Sequence, residues 1–213
     1  MKREYVDIVI DGKELKAPKG QRILWVALEN GIEIPHLCAI EGQEPPWGGC
    51  RLCWVEVEGL GYVTACTEPV RQGMVVLTDT EGVRRLQRRS LELLLADHPM
   101  DCKECPKRGR CGLLKWTRFL RVKVPKYLRP FPKKDMRVDL SHPVLNYDPN
   151  KCILCGRCVW VVKEKVKCGV FDFAWRGYDM KVTTFMGRPL RETNCNGCLM
   201  CVEVCPVGAL WSK

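Results

Sequence analysis

The sequence contains no apolar run long enough to cross a bilayer; its longest stretches, LELLLA at 91–96 among them, fall far short of a spanning helix. Its start, MKREYVDIVIDGKE, also lacks the apolar core of a secretory leader: it is polar and then alternates as a strand does. A disulfide-stapled secreted scaffold is thereby disfavoured, because such chains are short and follow a leader. Substrate chemistry lacks its usual signs too. There is no dinucleotide fingerprint, since the one G-x-G-like stretch, Gly59-Leu60-Gly61, reads as a hairpin turn. No nucleophile stands beside a recognisable base. The chain is expected in a reducing, cytoplasmic compartment, without direct membrane insertion and without a reaction centre for an organic substrate.

What the sequence has in excess is cysteine, fifteen in 213 residues, far above ordinary usage. In a reducing compartment these ligate metal rather than pair with each other. The formal net charge of +10 at first suggests a nucleic-acid binder. That figure counts every cysteine as neutral. One two-iron and three four-iron clusters with their thiolates would add about −7, leaving about +3. The basic excess then offsets the clusters and argues little for a polyanion partner.

Residues 5–10, YVDIVI, alternate and meet Asp11-Gly12, a hairpin signal, and 13–17 return as a second strand. Residues 21–30 set Ile23, Leu24, Val26 and Leu28 at helical spacing and stop at Gly31. After a loop rich in Pro and Gly, the stretches CWVEVEG, YVTAC and MVVLT read as short strands. This order predicts a β-grasp ferredoxin-like domain over 1–80, in a chain of α+β class. Residues 81–97 predict a helix capped by Thr80 or Asp79, with Leu86, Leu91, Leu94 and Leu95 as its apolar stripe. It leads into HPMDCKECPKRGRC, a helical cysteine segment over 81–120. Residues 121–150, basic and proline-rich, read as a linker strapped over a surface. Residues 151–213 form the last unit, and their two C-x-x-C-x-x-C runs are the one internal repeat.

Spacing sorts the ligands. Cys38, Cys50, Cys53 and Cys66 can hold a two-iron cluster. Zinc is the alternative, but zinc motifs usually bring two C-x-x-C pairs, and here one pair stands with two distant singles. Gly48 and Gly49 let backbone N–H groups approach the sulfurs. Four thiolates already suffice, so His36 reads as a packing or surface histidine. Cys102, Cys105 and Cys111 need a fourth ligand, and His98, in H-x3-C-x2-C-x5-C spacing, is the nearest. A neutral imidazole in place of a thiolate removes one negative charge and shifts the potential; this spacing leaves a Cys3His zinc site open.

In paired ferredoxin runs the fourth cysteine of each run serves the other run's cluster. Cys205 thus completes the set of Cys152, Cys155 and Cys158. The set of Cys195, Cys198 and Cys201 needs a ligand from the first run, but Val162 occupies the position where the motif carries it. Fifteen cysteines and His98 make four sets of four, and Cys168 is the cysteine left over. A straight helix would carry Cys168 about 9 Å past position 162. Reaching the site requires an early helix end or a bend, which Gly169 suits. The alternative is a three-cysteine cluster beside a free thiol.

The stretches GIEIPHLC, GGCRLCWVEVEG, TACTEPVRQGM, LELLLADHPMDCKECPKRGRC, DPNKCILCGRC and CPVGAL together cover nearly the whole chain. They resemble the large iron–sulfur subunit of NADH:quinone oxidoreductase (complex I) and the shorter diaphorase iron–sulfur subunit of NAD-linked nickel–iron hydrogenases. The resemblance implies a [2Fe–2S] cluster at the first site and a His-ligated [4Fe–4S] cluster at the second; the C-terminal two-cluster ferredoxin-like domain rests on the paired cysteine runs, and the complex I relative departs there, often holding a single cluster. It implies an electron relay, itself non-catalytic, in a hetero-oligomer. The relay would run, in either direction, between a flavin/NAD-binding diaphorase subunit and the small and large hydrogenase subunits.

In complex I the corresponding subunit typically continues into a large domain, whereas this sequence stops at Lys213, which favours the hydrogenase relative. An NAD-linked formate dehydrogenase, a complex I-like enzyme or an electron-bifurcating complex could use the same relay. A distant reading is a zinc-rich structural or nucleic-acid-binding protein using the basic stretch 121–137 and seven tryptophans. Trp54, Trp160, Trp175 and Trp211 are expected instead around clusters or at subunit contacts, with no nucleic acid bound.

Overall fold

Strict alternation over Tyr5–Ile10 builds β1, whose Val6, Ile8 and Ile10 face inward. The computed structural model describes residues 4–123 and 136–213, so part of the expected linker, 124–135, lies outside the described residues. The chain divides into two units, Met1–Leu91 and Glu92–Lys213.

In the first unit, β1 turns at Asp11 and Gly12, both left-handed, and pairs antiparallel with β2, Lys13–Pro18. Helix α1, Ile23–Glu29, buries Ile23, Leu24, Val26 and Ala27. Strands β3 (Trp54–Val57) and β4 (Gly61–Thr64) form a hairpin, and Gly59 and Gly61 take positive φ in its turn. β5, Val75–Leu77, then enters between β1 and β3, giving the order β2-β1-β5-β3-β4 with β1 and β5 parallel. This β-grasp sheet and α1 enclose one apolar core that includes Ile8, Ile10, Leu24, Val55 and Val76.

Helix α2, Glu81–Ala96, runs from the first unit into the second. Thr80 starts it, its Oγ1 accepting the Val83 N–H at 3.2 Å. Leu91 and Leu95 of the expected stripe are buried, but so are Val83 and the polar Gln87. Gln87 belongs inside because its side-chain amide donates to the Trp54 carbonyl at 2.9 Å.

The second unit contains α3 (Gly112–Phe119), β6 (Leu145–Tyr147), α4 (Arg157–Trp160), β7 (Asp172–Ala174), β8 (Lys181–Thr183), α5 (Met200–Val204) and β9 (Leu210–Ser212). β6 pairs antiparallel with β9, and β7 with β8. Residues 136–150, expected as part of a linker, are built into this unit. Leu145, Asn146, Tyr147 and Asp148 are buried, and Tyr147 donates its hydroxyl to the Val182 carbonyl at 2.6 Å. The strand was hidden in the sequence because its partner lies more than sixty residues away. The fold is α+β, with ferredoxin-like parts in both units. Among the described residues no helix is long and apolar enough to cross a membrane.

Candidate metal centres

The first group is assembled by the loop between α1 and β3 and by the residue after the β4 turn. Cys38, Cys50, Cys53 and Cys66 are all buried. The Cys50 N–H donates to the Cys38 sulfur at 3.4 Å, and the Ala65 N–H to the Cys53 carbonyl at 2.8 Å. Each thiol influences a neighbour's protonation, Cys50 with Cys38, Cys38 with Cys66 and Cys66 with Cys53. The neighbouring Cys38 thiol and burial push Cys50 well above an ordinary thiol. Contact with Cys38 lowers Cys66, but Cys53 and burial outweigh it and push it up to about 12. Such crowding suits a cationic core that takes the protons' place. Gly48 takes a positive φ, and a Cβ at Gly49 would strike the Trp47 ring, so the approach to Cys50 admits only glycine without rearrangement. His36 packs here as expected, its Nδ1 2.8 Å from the Ile34 carbonyl and its ring edge-on to Trp25.

In the second unit, Cys102 lies in a turn after α2, Cys105 in the loop that follows it, and Cys111 at the N-terminal cap of α3. Burial raises Cys111; the Leu114 and Leu113 N–H groups lower it, and Cys105 and Cys102 raise it, so the three thiols share one neighbourhood. A helix start favours the thiolate that ligation requires. His98 is half-buried just beyond α2, its N–H directed to the Leu95 carbonyl. Two residues without a sequence signal support this segment. Gly208, in CPVGAL, lies against it so closely that a Cβ there would sit 2.5 Å from the Cys105 sulfur. Lys151 pairs with Asp101 at 2.9 Å.

The two C-x-x-C-x-x-C runs repeat one backbone plan. In each, the residues two and four places after the first cysteine are left-handed: Leu154 and Gly156 in one, Gly197 and Leu199 in the other. Leucine avoids this conformation. The alternation of handedness turns successive N–H groups to one side, the concavity that cradles an anionic centre; the Leu154 N–H reaches the Cys152 sulfur at 3.4 Å. Burial first, then Cys205 and Cys152, pushes Cys155 well up. Burial and then Cys152, Cys155 and Cys205 do the same to Cys158. These four residues therefore lie near one another, and Cys201 also acts on Cys158.

The helix after Cys158 does not run straight. α4 loosens at once into a π turn, Val161–Lys165, then Lys167 and Gly169 reverse the chain with positive φ. The Cys168 and Gly169 N–H groups both donate to the Val162 carbonyl, at 3.0 and 3.1 Å. The backbone of residue 168 is thereby returned to the level of residue 162. Burial raises Cys195, and after the lowering N–H of Gly197 the next contributors are Cys168 and Cys198. Burial, Cys195 and Cys198 push Cys201 up to about 12. Cys168 thus shares the neighbourhood of Cys195, Cys198 and Cys201. His142, which the sequence reading passed over, is buried with its Cε1 3.5 Å from where a Cβ of Gly197 would stand; its Nδ1 accepts the Val144 N–H at 3.3 Å.

All fifteen cysteines are unpaired. Among the described residues no three His, Cys, Asp or Glu side chains close on a single metal ion. The thiols stand in groups on loops, with the N–H groups of Cys50 and Leu154 donating to sulfur, a donor set that fits iron–sulfur clusters.

Fold and thiols together define an iron–sulfur protein of the ferredoxin type. Residues 3–81 match the 2Fe-2S iron–sulfur cluster binding domain, 87–125 the iron–sulfur binding region of NADH-ubiquinone oxidoreductase G, and 142–211 the ferredoxin-like domain of NADH-quinone oxidoreductase subunit 3. The NADPH-Fe(3+) oxidoreductase subunit alpha of Geobacter sulfurreducens is 38% identical over 98% of this chain and 24% of its own length. The NADP-reducing hydrogenase subunit HndD of Solidesulfovibrio fructosivorans is 36% identical over 95% of this chain and 35% of its own. The chain therefore spans about a quarter to a third of these curated relatives. A chain in the solved NAD+-reducing [NiFe]-hydrogenase, in its H2-reduced state, superposes with a TM-score of 0.87 at 31% identity, covering 98% of this chain and 87% of that one. The chain belongs to the family of iron–sulfur subunits shared by NAD-linked hydrogenases and complex I-like oxidoreductases. It carries 2Fe-2S-binding and 4Fe-4S-binding domains.

Proposed function

We propose that the chain is the electron-relay subunit of an NAD-linked oxidoreductase, passing electrons between a flavin/NAD(H) diaphorase subunit and a nickel–iron hydrogenase module. The observation that carries the reading is the sorting of unpaired thiols into separate groups along one chain. In this reading Cys38, Cys50, Cys53 and Cys66 hold one [2Fe–2S] cluster. His98, Cys102, Cys105 and Cys111 hold a [4Fe–4S] cluster, as do Cys152, Cys155, Cys158 and Cys205, and Cys168, Cys195, Cys198 and Cys201. The clusters supply one-electron chemistry when bound. The polypeptide's part is to fix each thiolate, donate N–H groups such as those of Cys50 and Leu154 to sulfur, and exclude water by burying Cys155, Cys158 and Cys205.

The segments 1–80, 81–120 and 151–213 are the cluster-bearing domains of this reading, with residues 136–150 packed into the last of them. The chain works inside a cytoplasmic hetero-oligomer. Its likeness to a chain of the solved hydrogenase over most of that chain's length supports the hydrogenase partner. The same relay would serve an NAD-linked formate dehydrogenase or a bifurcating complex.

Metal and sulfide analysis tests the reading: purified anaerobically, the protein should be brown and carry about 14 iron atoms with matching sulfide, and show four paramagnetic centres on stepwise reduction. Colourless protein loaded with zinc would overturn it.

A further inference from the structure

The chain leaves the group of Cys168, Cys195, Cys198 and Cys201 at Cys168 and returns to it at Cys195. Between them lies an excursion built on the β7–β8 ladder, in register from Asp172↔Thr183 to Ala174↔Lys181. Its stem is firmly seated. Phe171, Val182 and Thr184 are buried, and the Val182 carbonyl accepts the Tyr147 hydroxyl. Its outer residues are the reverse. Trp175 is 66% exposed, Tyr178 59%, Phe185 75% and Met186 81%.

Trp175 and Met186 also hold left-handed backbone, φ 64 and 54, uncommon for bulky side chains. Intramolecular burial does not explain why they are held so. Strain of this kind gathers where a protein displays or clamps something. The charges around these side chains are mostly positive. Lys181 lies over the Trp175 ring and Arg188 over Phe185, with Arg176 exposed nearby in sequence. Of the acids, Asp172 is paired with Lys163 and Glu192 lies 3.6 Å from Arg191, leaving Asp179. Aromatics, Met and Arg are the residues that interface cores favour. Cys198, in the group at the root of this excursion, is the one exposed cysteine of the fifteen.

We infer that the Trp175–Arg188 excursion is the docking surface for a resident partner subunit that carries its own one-electron centre, offers pockets for Trp175, Phe185 and Met186, and rims them with carboxylates. The inference rests on the relay reading. So much exposed aromatic and thioether surface fits a permanent contact better than a transient one, because permanent interfaces are the more apolar. The cations set the sign of the partner's rim. A nearby partner centre is required because the excursion is rooted in the thiol group that holds the exposed Cys198.

The test compares the native complex with the isolated, cluster-loaded chain. Hydroxyl-radical footprinting should show Trp175, Tyr178, Phe185 and Met186 oxidised at least fivefold more slowly in the complex. A photo-crosslinker placed at 185 should capture a cluster-bearing subunit at a carboxylate-rich surface. The F185E/M186E chain should keep its full iron content and all its paramagnetic signals, yet bind that subunit at least tenfold more weakly. Equal oxidation in both preparations, or crosslinks to a second copy of the chain, to nucleic acid or to a subunit without a redox centre, would overturn the inference. Failure of the relay reading would appear separately, as missing iron or missing signals in the isolated chain.

Discussion

A cysteine six positions late can serve a site only if the chain between turns back, and the doubly accepted Val162 carbonyl marks that turn. If Cys168 is a ligand, Cys168→Ser should remove or convert one four-iron paramagnetic signal and leave the others in place. All signals surviving unchanged would exclude it. Adding Val162→Cys to that variant tests the same point in reverse and should restore the lost signal if position 162 faces the cluster. Gly208→Ala carries a different expectation. Its methyl group would intrude on the Cys105 sulfur, so it should cost about 1–3 kcal/mol in thermal unfolding, as overpacking does, and disturb the second centre's signal more than the others. At this scale cysteine spacing and a ligand count sorted the thiols into four expected sets, with Cys168 as the cysteine left over. Gly208 and His142 were not legible, because each matters through a neighbour at least fifty positions away. Nor were Leu154 and Leu199, since no spacing rule announces a left-handed leucine.

The elements owe their order to a few anchoring contacts. Thr80 both caps α2 and donates its hydroxyl to Glu56 at 2.8 Å. Thr80→Ala should cost about 1–2 kcal/mol, read by denaturant midpoint. Asp139 ties a loop to the segment before Cys195, accepting the N–H groups of Ser141 at 2.9 Å and Leu190 at 2.7 Å. Burial raises this carboxyl, but the hydrogen bonds from Ser141 and Leu190 and the charge of Arg137 outweigh burial and hold it below its usual value. A depressed carboxyl stabilises the fold above its unfolded value of about 4 and loses that contribution as pH falls through the folded value. The second unit of wild type should therefore weaken in acid more steeply than that of Asp139→Asn. The hairpin at Asp11-Gly12, α1 and α2 were readable because local pattern and long-range packing agree there. The π turn was not, because nothing in VVKEK departs from an ordinary helical run.

Across the whole molecule, the two units differ in what holds them. The first has a five-stranded sheet closed on an apolar core. Among the described residues the second has two-stranded pieces and, beyond α2, helices of little more than two turns, so ligation must supply much of its folding free energy. Iron removal should abolish the second unit's cooperative melt while the first keeps its β-sheet circular dichroism. A native-like spectrum for the entire metal-free chain would contradict this. In the first unit, Cys38, Cys50, Cys53 and Cys66 are buried close to one another. Proximity of that order also suits bond formation between sulfurs once an oxidant is present. A newly made chain thus has two competing fates, and assembly in air should trap it in scrambled bridges that only a reductant can reopen for loading, a loss that free-thiol titration would register.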